Sequence, residues 1–157
     1  MISQVYAQDA QDRVFYEVGG KHPEKMHVVT EIFHRVLVPL YGPQEKAIEQ
    51  IRLSLDRKCF LLYENDLPAG VLVFKTIPTD EYAKEGVTGS VEVKSLFVDQ
   101  SNQNSGRGLG SCLVDKLHRE VEQLGIAYNS FHLTVSETKP ESLQFFQKKG
   151  FRVAYEW

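Results

Sequence analysis

Apolar residues along the chain change their spacing several times, and each change marks an element. Cys59-Phe60-Leu61-Leu62-Tyr63, Gly70-Val71-Leu72-Val73-Phe74 and Val91 to Val98 are compact runs rich in β-branched and aromatic residues, which predicts strands. The first two are joined by Glu64-Asn65-Asp66-Leu67-Pro68 and read as a hairpin. Val28, Ile32, Phe33, Val36 and Leu37 recur at helical spacing, predicting a helix from Glu24 to about Val38 that Pro39, Gly42 and Pro43 break. Ala47, Ile48, Ile51 and Leu55 predict a second helix over Glu45 to Asp56, and Leu109, Leu113, Leu117, Val121 and Leu124 a third. Phe131 to Val135 reads as a strand. Pro140 to Lys149 reads as a helix stopped by Gly150, and Phe151 to Tyr155 as a closing strand. Ile2–Tyr6 and Arg13–Val18 read as extended. The order β-α-α-β-β-β-α-β-α-β predicts an α/β protein with a mixed sheet, of α+β type, rather than a regularly alternating one.

Composition narrows the class. At 157 residues, with no repeat or linker, residues 1–157 read as one domain with room for a real core. A net charge of −3 argues against non-specific nucleic-acid binding. The charge is uneven: residues 1–100 carry 11 Lys+Arg against 15 Asp+Glu, and residues 101–157 carry 7 against 6. Cys59 and Cys112 lie in apolar segments without metal-ligand spacing and read as reduced, packed thiols, so no metal is expected. The first residues lack the pattern of a secretory signal, and charges interrupt every apolar run well short of the ~20 residues a membrane span needs. A cytoplasmic protein that does not enter a membrane is the expectation.

The candidate chemistry centres on Ser105-Gly106-Arg107-Gly108-Leu109-Gly110-Ser111, between a strand and a helix. Glycines at alternate positions leave backbone N–H groups uncovered where the helix already offers unpaired donors and a positive dipole end. That is a seat for a phosphate or pyrophosphate. A phosphate-loop NTPase would need a lysine after the last glycine, but Ser111 and Cys112 follow Gly110. A dinucleotide fold would place G-x-G-x-x-G early in the chain, whereas this loop is spaced G-x-G-x-G with 47 residues remaining after Gly110. The pyrophosphate of an acyl-CoA is the third candidate.

The chain resembles the GNAT superfamily of acyl-CoA-dependent N-acetyltransferases. Gly108-Leu109-Gly110 after Leu96-Phe97-Val98 matches one signature of that family, and Phe145-Phe146-Gln147-Lys148-Lys149-Gly150-Phe151 matches a second. The likeness is strongest over residues 91–153. Ser105 stands where the family usually has Gln or Arg, and the loop from Asp99 to Ser105 is about two residues longer than the common form. Gln103 or Asn104 would be the replacement contact. Lys139 and Ser142 also depart from the commonest residues at their positions.

The resemblance implies a splayed central sheet with acetyl-CoA as cosubstrate. The backbone of Leu96, Phe97 and Val98 would pair with the pantetheine arm. The pyrophosphate would sit over residues 105–111, and Ser142 and Phe146 would contact the cofactor. It implies direct acetyl transfer to a primary amine in a ternary complex. Glu92, six residues before Val98, is the candidate base. Even spacing puts Glu92 on the strand face of Lys94, Leu96 and Val98, and a plain ion pair with Lys94 is the alternative role. Phe146 stands where the family often has a tyrosine acid, so the acid role is unfilled. Tyr41, between the first two helices, would line the acceptor site. His27 and His34 read as surface residues. Lys148, Lys149 and Arg152 read as a solvated basic face or an attraction for the CoA ribose phosphate.

The competing class is a non-catalytic acyl-CoA-binding module that regulates a protein partner. The early end after the last predicted strand leaves a homodimer open. The acceptor itself is not legible in the sequence, because fold does not fix substrate.

Overall fold

The computed structural model describes residues 12–99, 108–135 and 140–156. Five strands form one open sheet in chain order: β1 (Arg13–Val18), β2 (Arg57–Glu64), β3 (Leu67–Lys75), β4 (Ser90–Val98) and β5 (Ser130–His132). The first four run antiparallel and β5 lies parallel to β4. Helices α1 (Met26–Val36), α2 (Val38–Tyr41) and α3 (Glu45–Leu53) follow β1, α4 (Leu109–Gln123) joins β4 to β5, and α5 (Pro140–Lys148) follows β5.

Alternation along β2 and β3 divides the core into two layers. Phe60, Leu62, Leu72 and Phe74 face α4, whose Leu109, Leu113, Leu117 and Val121 bury one stripe. Cys59, Leu61, Val71 and Val73 face Val29, Ile32 and Phe33 of α1 and Ile48 and Ile51 of α3. Helices therefore cover both faces, and the central strands are buried on both sides.

The β2–β3 connection is tighter than the sequence suggests. Asn65 and Asp66 both adopt positive φ, 50° and 66°, and make a two-residue turn, so Leu67 and Pro68 already belong to β3. Asn and Asp tolerate this left-handed conformation because their short polar side chains bond locally. The break at Pro39 is filled by α2, with Pro39 in its first turn, where a missing N–H costs nothing.

The closing strand expected over Phe151–Tyr155 is absent: among the described residues these positions pair with no strand. The alternating pattern is there, but β5 is only three residues long and offers too short an edge to carry a ladder. Phe151 instead folds back on Phe146, with ring centroids 5.4 Å apart, after Gly150 turns the chain at φ +95°. Ile2–Tyr6 lie outside the described residues. Among the described residues no helix is long and apolar enough to cross a membrane.

Candidate active site

β4 carries one extra residue. Val73 pairs with Ser95 but Phe74 pairs with Val93, so Lys94 is bulged out of the ladder. A bulge reverses which face each later side chain takes. Val91 and Val93 face α4, and beyond the bulge so do Leu96 and Val98. Phe97 packs in the other layer, edge-on to Phe33 of α1 at 5.2 Å between centroids. Glu92 therefore does not share a face with Leu96 and Val98. It points to the opposite side, which carries α1, α2 and α3. Simple even spacing fails here because it assumes an unbroken pleat.

β4 and β5 then part. They pair over three residues only, Ser90↔Ser130, Val91↔Phe131 and Glu92↔His132. Past Glu92, β4 continues to Val98 bonded, among the described residues, to β3 alone. Along Leu96, Phe97 and Val98, the backbone groups that point away from β3 face this fork with no strand partner among the described residues. An amide-bearing chain laid in the fork would pair with them as an added strand does.

At the head of α4, Gly108 is the N-cap, with φ +73° and no side-chain cap on the helix. The first N–H groups, those of Leu109, Gly110 and Ser111, are the ones a helix leaves without an internal acceptor. The two glycines serve different ends. A Cβ on Gly108 would meet nothing within 4 Å, so its glycine is required by the left-handed backbone. A Cβ on Gly110 would lie 2.9 Å from Cζ of Phe145, so that glycine lets α5 approach α4. A cavity of about 590 Å³ borders this helix start, between Gly108, Ser111, Cys112 and the arginines Arg13 and Arg119. Ser105, Gly106 and Arg107, with Gln103, Asn104 and Lys139, lie outside the described residues.

Glu92 is half-buried, and its carboxylate takes Lys94 Nζ at 3.2 Å and Lys75 Nζ at 3.9 Å. The ion pair with Lys94 is thus present. Facing Glu92 across the fork is His132, a residue the sequence does not single out. Its Nδ1 lies 2.7 Å from Oγ of buried Ser90, and Tyr82 stands edge-on to its ring at 4.9 Å. Its Nε2 is buried without a hydrogen-bond partner among the described residues. Burial holds the His132 imidazole below its ordinary pKa, with Lys94 acting the same way and Glu92 and Glu81 opposing. The Tyr82 phenol sits above its usual range through desolvation and the nearby carboxylates Glu81, Glu92 and Glu85, with Tyr155 adding to the rise. The signal that would have exposed this cluster is the β4–β5 register, which places Ser90 and Glu92 beside His132; no single sequence segment contains it. A cavity of about 990 Å³ runs along the far side of β5, lined by Tyr82, Phe131, His132, Phe146, Phe151 and Tyr155.

The remaining expected residues take these places. Tyr41 ends α2, half exposed, on the same side of the sheet as Glu92. Phe146 is buried between Phe145 and Phe151 and offers no proton. Ser142 is partly exposed in the first turn of α5. His34 approaches Glu45 at 3.9 Å, and His27 is exposed. Cys59 is buried, its thiol pushed up to about 12 by desolvation, and Cys112 is half-buried in α4.

The fold has counterparts among solved proteins. The aminoglycoside N-acetyltransferase AAC(6')-Iy in complex with CoA superposes with a TM-score of 0.71 at 15% identity, over 97% of this chain and 95% of that one. A ribosomal-protein-alanine N-acetyltransferase from Brucella melitensis biovar Abortus 2308 gives 0.67 at 11% identity, covering 93% and 96%. Arabidopsis thaliana NAA60 in complex with a bisubstrate analogue gives 0.68 at 13% identity, covering 90% and 84%. A sequence search of curated proteins finds no match. The model of the acetyltransferase (GNAT) domain matches residues 30–156, from α1 through the C-terminal segment, and on that match the chain belongs to the GNAT family of acetyltransferases.

Proposed function

We propose that the protein moves an acetyl group from acetyl-CoA directly to a primary amine bound on the α1–α3 side of the sheet. The observation that carries this reading is the fork itself: β4 leaves β5 after Glu92↔His132 while α4 presents an uncapped, glycine-led N-terminus. Both features suit acetyl-CoA. The free edge of β4 at Leu96, Phe97 and Val98 would hold the pantetheine amides. The N–H groups of Leu109, Gly110 and Ser111, with the preceding Ser105-Gly106-Arg107-Gly108, would hold the pyrophosphate. Ser142 and Phe146 would border the arm from α5. Acetyl-CoA, when bound, supplies the activated acyl group.

The acceptor must present a neutral nitrogen, because an ammonium has no lone pair to attack with. Glu92 is the catalytic carboxylate of this reading. Its charge at the fork draws the ammonium form in, and its turn toward the α1–α3 side suits an acceptor passing Tyr41. An amine acceptor is supported by the company of the fold, since proteins named for aminoglycoside and for ribosomal-protein alanine acetylation share it.

Titration calorimetry of the purified protein with acetyl-CoA, followed by thiol release across aminoglycosides, polyamines and peptides with free N-termini, tests the proposal. Binding and amine-dependent release are expected, with Glu92→Gln lowering kcat by about 10²–10³-fold while leaving acetyl-CoA affinity intact. A protein that binds no acetyl-CoA would sink the reading.

A further inference from the structure

Acetyl transfer to a neutral amine sheds one proton and needs one; an acceptor that arrives as ammonium first gives its extra proton to solvent. The attacking nitrogen must lose a proton as it bonds to the acyl carbon, and the sulfur gains one as the carbon–sulfur bond breaks. We propose that His132 handles both: its Nε2 receives the amine proton, directly or across one water, and returns it to the departing thiolate. The proton count closes on the imidazole, and no further reactant is required. This inference rests on the acetyl-transfer reading above.

Three observations carry it. The first is position. Glu92↔His132 is the last pair before β4 and β5 part, so His132 stands at the base of the fork and faces the same side as Glu92. The second is orientation. Ser90 is buried, and its Oγ lies 2.7 Å from Nδ1, while Tyr82 packs edge-on against the ring. These contacts fix the imidazole, and the Ser90 bond decides which tautomer Nε2 shows. The third is the orphan atom. Nε2 is buried with no partner among the described residues, although buried polar nitrogens are almost always bonded. A ring hydrogen-bonded at one nitrogen and left unbonded at the other, buried one is arranged for a transient partner.

The surroundings fit a proton carrier rather than a fixed charge. The imidazole is held below its ordinary range by burial and Lys94, so it is neutral and able to accept at physiological pH. Glu92 and Glu81 oppose that shift, and their charge would stabilise the imidazolium once it forms. Tyr82 and Tyr155 border the same cavity. Glu92 itself already contacts two ammonium groups, from Lys94 and Lys75. It therefore acts through its charge, and His132 is the group left to carry the proton. Phe146, buried between two aromatic rings, has no proton to give.

The test uses the full chain. Long-range proton–nitrogen correlation spectra report each imidazole nitrogen, with His132 assigned by the loss of its signals in His132→Gln. Addition of CoA, at a concentration that calorimetry shows to be saturating, is expected to move Nε2 while Nδ1 stays with Ser90. An unmoved Nε2 overturns the proposal, whereas absence of CoA binding overturns the acetyl-transfer reading instead. With the best acceptor amine, His132→Gln should lower kcat by about 10²–10⁴-fold and remove the acidic limb of the kcat–pH profile, with CoA affinity preserved. A retained limb rejects the role. Ser90→Ala, which keeps the imidazole but frees Nδ1, should displace the limb without abolishing it; if His132→Gln does not fold, an undisplaced limb in Ser90→Ala is the rejecting result.

Discussion

Gly110 and Phe145 occupy one space between two helices: a Cβ on Gly110 would fall 2.9 Å from Cζ and 3.1 Å from Cε1 of the Phe145 ring. That contact ties the head of α4, where the pyrophosphate would sit, to α5. The ring is itself wedged against Phe146, 5.1 Å away between centroids. Gly110→Ala must push Phe145 aside and should cost about 1–3 kcal/mol, the usual range for overpacking a close contact. Combining it with Phe145→Leu should recover much of the loss, a coupling that thermal unfolding of the four proteins in the cycle would measure. Additive losses would show that the two residues do not share the space.

Gly108 makes the opposite case, two residues earlier. Its φ of +73° is left-handed and nothing lies within 4 Å of an added Cβ. Gly108→Ala should therefore cost about 1–2 kcal/mol through the backbone alone. Because Gly108 caps α4, relief of that strain re-aims the first N–H groups, so acetyl-CoA should bind more weakly in proportion. Calorimetry on Gly108→Ala and Gly108→Asn separates the two causes, since Asn tolerates the left-handed region better and should retain more affinity.

These two glycines show what was legible in the sequence. The G-x-G spacing pointed to a helix start, α4 does begin there, and the structure gives each glycine its own reason. Element order was legible too, because α1, α3 and α4 each bury one clean apolar stripe. The face of Glu92 was not. One bulged residue, Lys94, reverses a strand without leaving any compositional mark, since a bulge is a property of two strands in register. His132 was missed for the same reason: Phe131-His132-Leu133 reads as ordinary alternation, and only the parallel pairing with β4 brings Ser90 and Glu92 beside it. The expected last strand failed because a pattern of alternation cannot supply a partner edge.

Arg35 of α1 reaches across to Asp99, with Nε and Nη2 donating to one carboxylate oxygen at 3.0 and 2.8 Å. Asp99 is buried, and its own N–H bonds Ala69 O, so it pins the end of β4 just before the glycine loop begins. Arg35→Ala should destabilise by about 1–2 kcal/mol, less than a fully buried pair because half of the Arg35 side chain is solvated. Arg35→Lys should rescue only part of it, since a lysine cannot present two donors in a fixed plane. Urea unfolding of the three proteins at one salt concentration decides it. Equal midpoints would mean that the pair is dispensable.

The His132 ring also makes stability depend on pH in a direction that can be fixed in advance. In the unfolded chain a histidine titrates near 6.5, and in the folded protein burial holds this one lower. Above pH 6.5 both states carry a neutral ring and the residue adds no pH dependence. As the pH falls below 6.5 the unfolded chain takes up a proton first, which favours unfolding. The loss continues until the pH reaches the folded-state value and then levels off. In His132→Gln that contribution is absent at every pH. The unfolding temperature of the wild type should therefore fall relative to that of His132→Gln as the pH drops from 7 to about 5.5, with the ionisable groups remote from the ring, common to both proteins, cancelling in the difference. A wild type that instead gains on the variant over that interval would mean that the ring is charged in the folded protein and paired with Glu92, and that it is no acceptor for a proton at neutral pH.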